Sequence, residues 1–251
     1  MYCYIYDIFT NQKKYEKQLT KLEFLLADLG IAGKVYRLNV LKNLEMVIEE
    51  AIAEGAKTIV AVGNDQTVSK VVNLIMEKNL PLGIIPLGDN CLLANSFGIK
   101  TMEEAVKILA ARKVEWLDVG KIDDQYFLLA IESNDSNIIF SLDDYNINPR
   151  KNNEAVGIYN INISNYDFDS SPRDGRLEAV FAPKQLSWWQ RLGKKENKQT
   201  ERISVFPIKE LTLNHQKKPI AINVDRQRTI KTPAKVEVLK GKLKVITGKN
   251  I

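Results

Sequence analysis

Histidine and cysteine are nearly missing from this chain, which has His215, Cys3 and Cys91 among its 251 residues. A single histidine argues against a His-rich zinc site and a His-dependent catalytic triad. His215 sits in the polar run Asn-His-Gln-Lys-Lys and reads as a surface-loop residue. Two cysteines cannot form a disulfide framework, and neither has metal-ligand spacing, so a reducing cytosol is the expected setting. No apolar run approaches the roughly 20 residues that a membrane-spanning helix needs. The start, Met1 to Ile8, lacks the basic opening and apolar core of a signal peptide. Charge of one sign is also scarce: 36 Lys and Arg face 31 Asp and Glu, a formal net charge of +5. That bias suits phosphates or lipid head groups as well as a plain solvated surface. No nucleic-acid recognition pattern accompanies it, so nucleic acid is not an expected partner. The expectation is a cytoplasmic protein whose oligomeric state the sequence leaves open, a homodimer included.

What is present is an alternation of short apolar runs and helical periods. Tyr2–Ile8 reads as a strand, and Leu19, Leu22, Leu25, Leu26 and Leu29 then recur at helical spacing until Gly30. Lys34–Asn39, Leu44–Ala53, Thr58–Val62, Thr67–Met76 and Pro81–Leu87 continue the pattern as strand, helix, strand, helix and strand. A further helix is expected over Met102–Ala111. Strands alternating with helices at these lengths imply a parallel sheet with right-handed crossovers. After about Val114 helical periods give way to short alternating stretches, among them Leu117–Ile122, Gln125–Ile131, Ala155–Ile163 and Pro219–Val224. That half reads as antiparallel β, a sandwich or a barrel. The expected organisation is an α/β nucleotide-binding-like domain over residues 1–114 and a β-sandwich domain over 115–251, whose extreme C-terminus could pack back on the first.

The junctions after the third and fourth strands carry the functional signal. Thr58-Ile59-Val60-Ala61-Val62 runs into Gly63-Asn64-Asp65-Gln66-Thr67, and Gly88-Asp89-Asn90 follows one βα unit later. Such loops lie at the carboxyl edge of a parallel sheet, beside helix N-termini whose free N–H groups favour anions. At these residues the chain resembles the diacylglycerol kinase-like catalytic domain, the family of bacterial lipid kinases and sphingosine kinases, more distantly related to NAD kinases. Members carry Gly-Gly-Asp-Gly-Thr and, one residue on, Asn-Glu; here the run is Gly63-Asn64-Asp65-Gln66-Thr67-Val68-Ser69-Lys70. Their Pro-Leu-Gly-Thr-Gly-Asn-Asp-Phe-Ala appears as Pro86-Leu87-Gly88-Asp89-Asn90-Cys91-Leu92-Leu93-Ala94. Trp116–Lys121 resembles the family's entry into its second domain. Asn223-Val224-Asp225-Arg226-Gln227 resembles a late strand ending in Asp-Gly-Glu.

The resemblance implies a Rossmann-like α/β domain followed by an antiparallel β-sandwich, and ATP- and Mg²⁺-dependent phosphorylation of a lipid hydroxyl in an interdomain cleft. It implies nucleotide binding by Gly63, Asn64, Asp65, Gln66, Thr67, Gly88, Asp89 and Asn90, with Asp65 also the metal candidate. Asp65 and Asp225 are the catalytic candidates. Each has a plainer reading: an N-terminal helix cap by Asp65 or Thr67, and a β-turn aspartate at 225. The family's glycines allow close backbone approach to phosphate, and here only Gly63 and Gly88 keep them. Gln227 stands where the family has its acid, and a glutamine cannot accept a proton at neutral pH. Lys70 reverses the charge of the family's glutamate. These departures open a second expectation, a non-catalytic anion- or nucleotide-binding or regulatory protein on the same fold.

Ser187-Trp188-Trp189-Gln190-Arg191-Leu192-Gly193-Lys194-Lys195 breaks the strand pattern. Trp188 and Trp189 beside Lys194 and Lys195 suit either a short helix packed on the sandwich or contact with an anionic membrane surface.

Overall fold

The structure, a computed structural model, describes residues 1–150, 154–184 and 203–248. Trp188, Trp189, Lys194 and Lys195 lie outside the described residues. The chain divides into two compact units, Met1–Asp118 with the stretch from Gly241 onward, and Val119–Lys240. No helix among the described residues is long and apolar enough to cross a membrane.

The first unit alternates strands and helices. They are β1 (Tyr2–Tyr6), α1 (Glu16–Asp28), β2 (Lys34–Arg37), α2 (Leu44–Ala53), β3 (Thr58–Gly63), α3 (Asp65–Ile75), β4 (Leu82–Pro86), α4 (Leu92–Ser96) and α5 (Met102–Ala111). β1 lies between β2 and β3, and β3 pairs with β4, all in parallel. Cys3 to Tyr6 and Ile59 to Val62 have no exposed surface, as strands covered on both faces require. Leu19, Leu22 and Leu26 form the buried stripe of α1, and Gly30 closes the helix with φ +64°. Leu29 stays largely exposed, so the stripe ends one position earlier than its spacing suggests. Side chains at the helix starts hold α2 and α5: Asn43 accepts from the Met46 N–H and Thr101 from the Glu104 N–H. The short α4 has no counterpart in the periodicity.

β5 (Val114–Ile122) leads into the second unit, which adds β6 (Gln125–Phe127), β7 (Ala130–Ser133), β8 (Ile138–Ser141), β9 (Asn146–Ile147), β10 (Glu154–Tyr159) and β11 (Leu177–Pro183). β12 (Ser204–Ile208), β13 (Glu210–His215), β14 (Ala221–Val224), β15 (Arg228–Lys231) and β16 (Ala234–Ile246) complete it. Six of these form an antiparallel sheet in the order β12-β11-β10-β7-β14-β15. Its inner face supplies Ile131, Val156, Ile158, Phe181, Ile222 and Val224 to one apolar core with Phe127, Phe140 and Leu213. The expected strand over Gln125–Ile131 is interrupted at Leu128 and Leu129, whose N–H groups bond to the Asp225 side chain instead.

The pairings within the first unit are parallel, and β16 carries two pairings. Its C-terminal end lies parallel to β4 at Val245 and Leu82, while Ala234–Glu237 runs antiparallel to β13. A 13-residue strand is long enough for both, so the ladder is mixed. The fold is mixed α/β with two sheet regions.

Gly120 shows how tightly the second core closes. It faces Phe127 across the β5–β6 pair, and a Cβ there would sit 2.0 Å from the ring's Cζ. Gly120→Ala should therefore destabilise the fold by about 1–3 kcal/mol, the usual cost of overpacking. Urea denaturation would check this, and an unchanged midpoint would show that Phe127 moves freely.

Candidate functional site

Three loops meet at the carboxyl edge of β1, β3 and β4. The first follows β1, where Asp7 opens a 3₁₀ turn over Ile8–Asn11 and accepts from the Phe9 N–H. The second is Gly63–Thr67 and the third is Gly88–Asn90. The Leu87 N–H donates to the Gly63 carbonyl at 2.9 Å and the Asp65 N–H to the Asn90 carbonyl at 3.0 Å, so the last two loops lie side by side.

Gly63 owes its identity to packing within the chain. A Cβ there would lie 2.3 Å from Thr67 Oγ1, which is buried and donates to Asp7 Oδ2 at 2.7 Å. Gly88 has φ +85°, and the space beside its Cα is filled by the Phe9 ring, 3.0 Å from a built Cβ. Asn90 is also left-handed, at φ +59°, which asparagine tolerates better than most residues. Gln66, Asp89 and Asn90 form the exposed rim. Cys91 packs beneath it, and burial pushes its thiol to about 11, which keeps it protonated at neutral pH.

Asn64, not Asp65 or Thr67, caps α3. Its Oδ1 accepts from the N–H groups of Gln66 at 3.1 Å and Thr67 at 3.3 Å. With the Asp65 N–H bonded to Asn90, the first three N–H groups of this helix already have partners inside the chain. In the family motif this position is a glycine, which offers no such oxygen.

Asp65 is 1% exposed, and both its oxygens are bonded: Oδ2 accepts from the Leu92 N–H at 2.8 Å and Oδ1 from the Leu93 N–H at 2.9 Å. The carboxylate therefore ties the start of α3 to the start of α4. Burial pushes its carboxyl above the ordinary range, against the pull of the Leu93 and Leu92 donors. Magnesium needs oxygen ligands reachable beside waters and phosphate. A buried carboxylate with both oxygens committed to backbone donors does not fit that need. Among the described residues no group of three or more His, Cys, Asp or Glu side chains could hold a metal ion.

Asp225 belongs to the second unit and repeats the arrangement. It is 1% exposed, and its oxygens accept from the N–H groups of Leu128, Leu129 and Ala130 at 2.8–3.2 Å. Burial raises its carboxyl above the ordinary range, and the Leu128 and Leu129 donors and Arg228 oppose that shift. Asp225 and Arg226 have φ +52° and +56°, and the Gln227 N–H returns to the Val224 carbonyl. This is the backbone of a tight hairpin turn with two left-handed residues. Asp7 and Phe9 escaped the sequence reading, although an acid directly after the first strand is the same kind of signal that drew attention to Asp65.

The architecture is a mixed α/β fold whose likeness to solved structures extends over nearly the whole chain. A solved diacylglycerol kinase from Bacillus anthracis str. Sterne superposes with a TM-score of 0.75 at 19% identity, covering 98% of this chain and 96% of that one. A second structure from the same organism gives 0.77 at 18% identity. Residues 2–122 match the diacylglycerol kinase catalytic domain. A diacylglycerol kinase from Staphylococcus aureus is 27% identical over 131 residues, which is 49% of this chain and 40% of the relative. The match thus spans less than half the length of the curated relatives.

Asp65→Asn keeps one acceptor but turns an amide N–H₂ toward a backbone donor. It should cost about 1–3 kcal/mol, the range for an unsatisfied buried polar group, read as a lower urea midpoint. Unchanged stability together with lost nucleotide affinity would return Asp65 to a ligand role. A pH effect follows from the raised carboxyls. The folded state holds these protons more tightly than the unfolded chain, so the groups favour folding below the ordinary carboxylate range. That contribution fades as pH rises through their raised folded values. In a ¹³C-carboxyl NMR titration Asp65 and Asp225 should ionise after the surface aspartates; ionisation together with them would refute the assignment.

Proposed function

We propose that this chain is a diverged diacylglycerol kinase-like protein in which ATP-dependent phosphorylation of a lipid hydroxyl is weak or lost, the fold now serving as a non-catalytic binding protein. On this reading residues 1–114 form the nucleotide-binding-like part and 115–251 the β-sandwich part.

The observation that carries the proposal is the Asn64 side chain. A helix N-terminus attracts phosphate because its first N–H groups lack partners. Here Asn64 Oδ1 takes two of them and the Asn90 carbonyl a third. The chain has placed its own amide oxygen where an anion's oxygen would be held. Phosphoryl transfer rests mainly on positioning and charge neutralisation, and both depend on such donors.

The acids agree with this reading. A general base must come within hydrogen-bond reach of the proton it removes. Asp65 and Asp225 are buried, with their oxygens committed to backbone donors, and Gln227 has no basic lone pair to offer. What remains outward is a polar rim of Gln66, Asp89 and Asn90, with Lys70 exposed on α3. Gln66, Asn90 and Lys70 can donate hydrogen bonds to a small anion or nucleotide without activating it.

Two measurements test the proposal. Radiolabel transfer from ATP to diacylglycerols and sphingoid bases should fall at least about 10²-fold below an active lipid kinase, the lower bound for a missing base. Calorimetry should show wild-type affinity for ATP no tighter than roughly millimolar, about −4 kcal/mol. Asn64→Gly, which frees two helix N–H groups, should bind ATP more tightly. Robust wild-type transfer would overturn the proposal, and Asn64→Gly with unchanged affinity would remove its main support.

A further inference from the structure

The second unit holds a cavity of about 470 Å³ on the face of the six-stranded sheet turned away from its core. Strand register builds its floor. Glu132 on β7 lies between Gly157 on β10 and Asn223 on β14, and Val180 on β11 continues the same row. All four line the cavity. Gly157 leaves room for a neighbour: the Tyr159 ring lies over it, with Cε2 2.4 Å from where a Cβ would stand. The Tyr159 hydroxyl donates to Glu132 Oε1 at 3.1 Å.

Arg226 completes the wall from the hairpin turn. Its Nε and Nη2 donate to Glu132 Oε2 and Oε1 at 2.7 and 3.0 Å, a bidentate pair. A glycine would suit φ +56° without strain, so an arginine held there is an outlier of the kind that gathers at functional sites. The opposite side is the loop Ser164–Tyr166. Asn162 shapes it by donating to the carbonyls of Tyr166 and Phe168 and accepting from Ser164, while the Tyr166 hydroxyl donates to the Pro183 carbonyl. The cavity is thus built on both sides, and its volume falls in the range of small-molecule sites.

The chemistry of the lining narrows the ligand. Arg226 and Glu132 cancel each other's charge, so a free anion would compete with a bidentate carboxylate and a cation with a guanidinium. Asn134 and Asn223 bring amide donors and acceptors into one small space. A neutral molecule dense in hydroxyl groups matches that mixture. We infer that this cavity binds a polyhydroxylated ligand, a sugar or cyclitol ring, through Glu132, Arg226 and Asn223. The inference does not depend on the loss of phosphoryl transfer. A lipid head group and a free sugar present the same hydroxyls.

Saturation-transfer NMR on the full chain, with glucose and myo-inositol each at about millimolar concentration, tests the inference. Vesicles containing phosphatidylinositol, compared with phosphatidylcholine alone, form the second arm. Transfer to a free ring assigns a soluble ligand, and sedimentation with phosphatidylinositol vesicles only assigns a head group. Either result should weaken at least tenfold in Asn223→Ala and in Arg226→Gly. The second variant relieves the left-handed strain, so its melting temperature should hold, which separates lost binding from lost folding. No transfer and no sedimentation overturns the inference, as does signal undiminished in both variants. Binding of adenosine or inorganic phosphate in place of the polyols would show that the ligand class is wrong.

Discussion

Much of the site's geometry rests on one carboxylate among backbone amides. Asp65 spans from the first turn of α3 to the first turn of α4, and its two oxygens fix both helix starts at once. Without it the third loop would have only the Asn90 carbonyl and the Leu87 N–H to hold its register against the second. Asp225 performs the same service in the second unit, where one side chain gathers three successive N–H groups that a strand would otherwise leave unpaired. Hydrogen bonds from amides to a buried carboxylate are among the stronger contacts a chain can make. Here they hold helix starts in the first unit and stand in for a backbone ladder between β6 and β7 in the second.

The acids at the motif positions, Asp65 and Asp225, are both buried here. A motif records which residue stands at a position, whereas chemistry depends on which lone pairs still face outward. At position 64, where the motif has glycine, the Asn64 side chain accepts from the N–H groups of Gln66 and Thr67. At position 226, where the motif has glycine, the hairpin holds a guanidinium paired with Glu132. Each replacement adds internal order where the family pattern calls for openness.

Much of this was legible before any coordinates. Periodicity located α2 and α5 at Leu44–Ala53 and Met102–Ala111, because their apolar stripes are regular and begin at recognisable caps. The strand-to-glycine junctions at Gly63 and Gly88 marked the loops that meet. Other features were not legible. Whether Asp65 points outward or into the fold depends on where Leu92 and Leu93 put their N–H groups, and no one-dimensional pattern carries that. The break at Leu128–Leu129 was hidden because its cause lies almost a hundred residues away. The double role of β16 was hidden for a similar reason: its alternation looks the same whichever neighbour it meets.

That last strand has a consequence for how the molecule comes into being. A ribosome delivers Leu82 long before Val245, yet the two are neighbours in one ladder. Until β16 emerges, β4 presents an unsatisfied edge in a nascent sheet whose other strands already exist. Such an edge is a template for wrong partners, and long-range parallel closure is intrinsically slow. The α/β unit begins before the second unit in synthesis and is completed only after it, which leaves its most apolar strands dependent on timing as well as on packing.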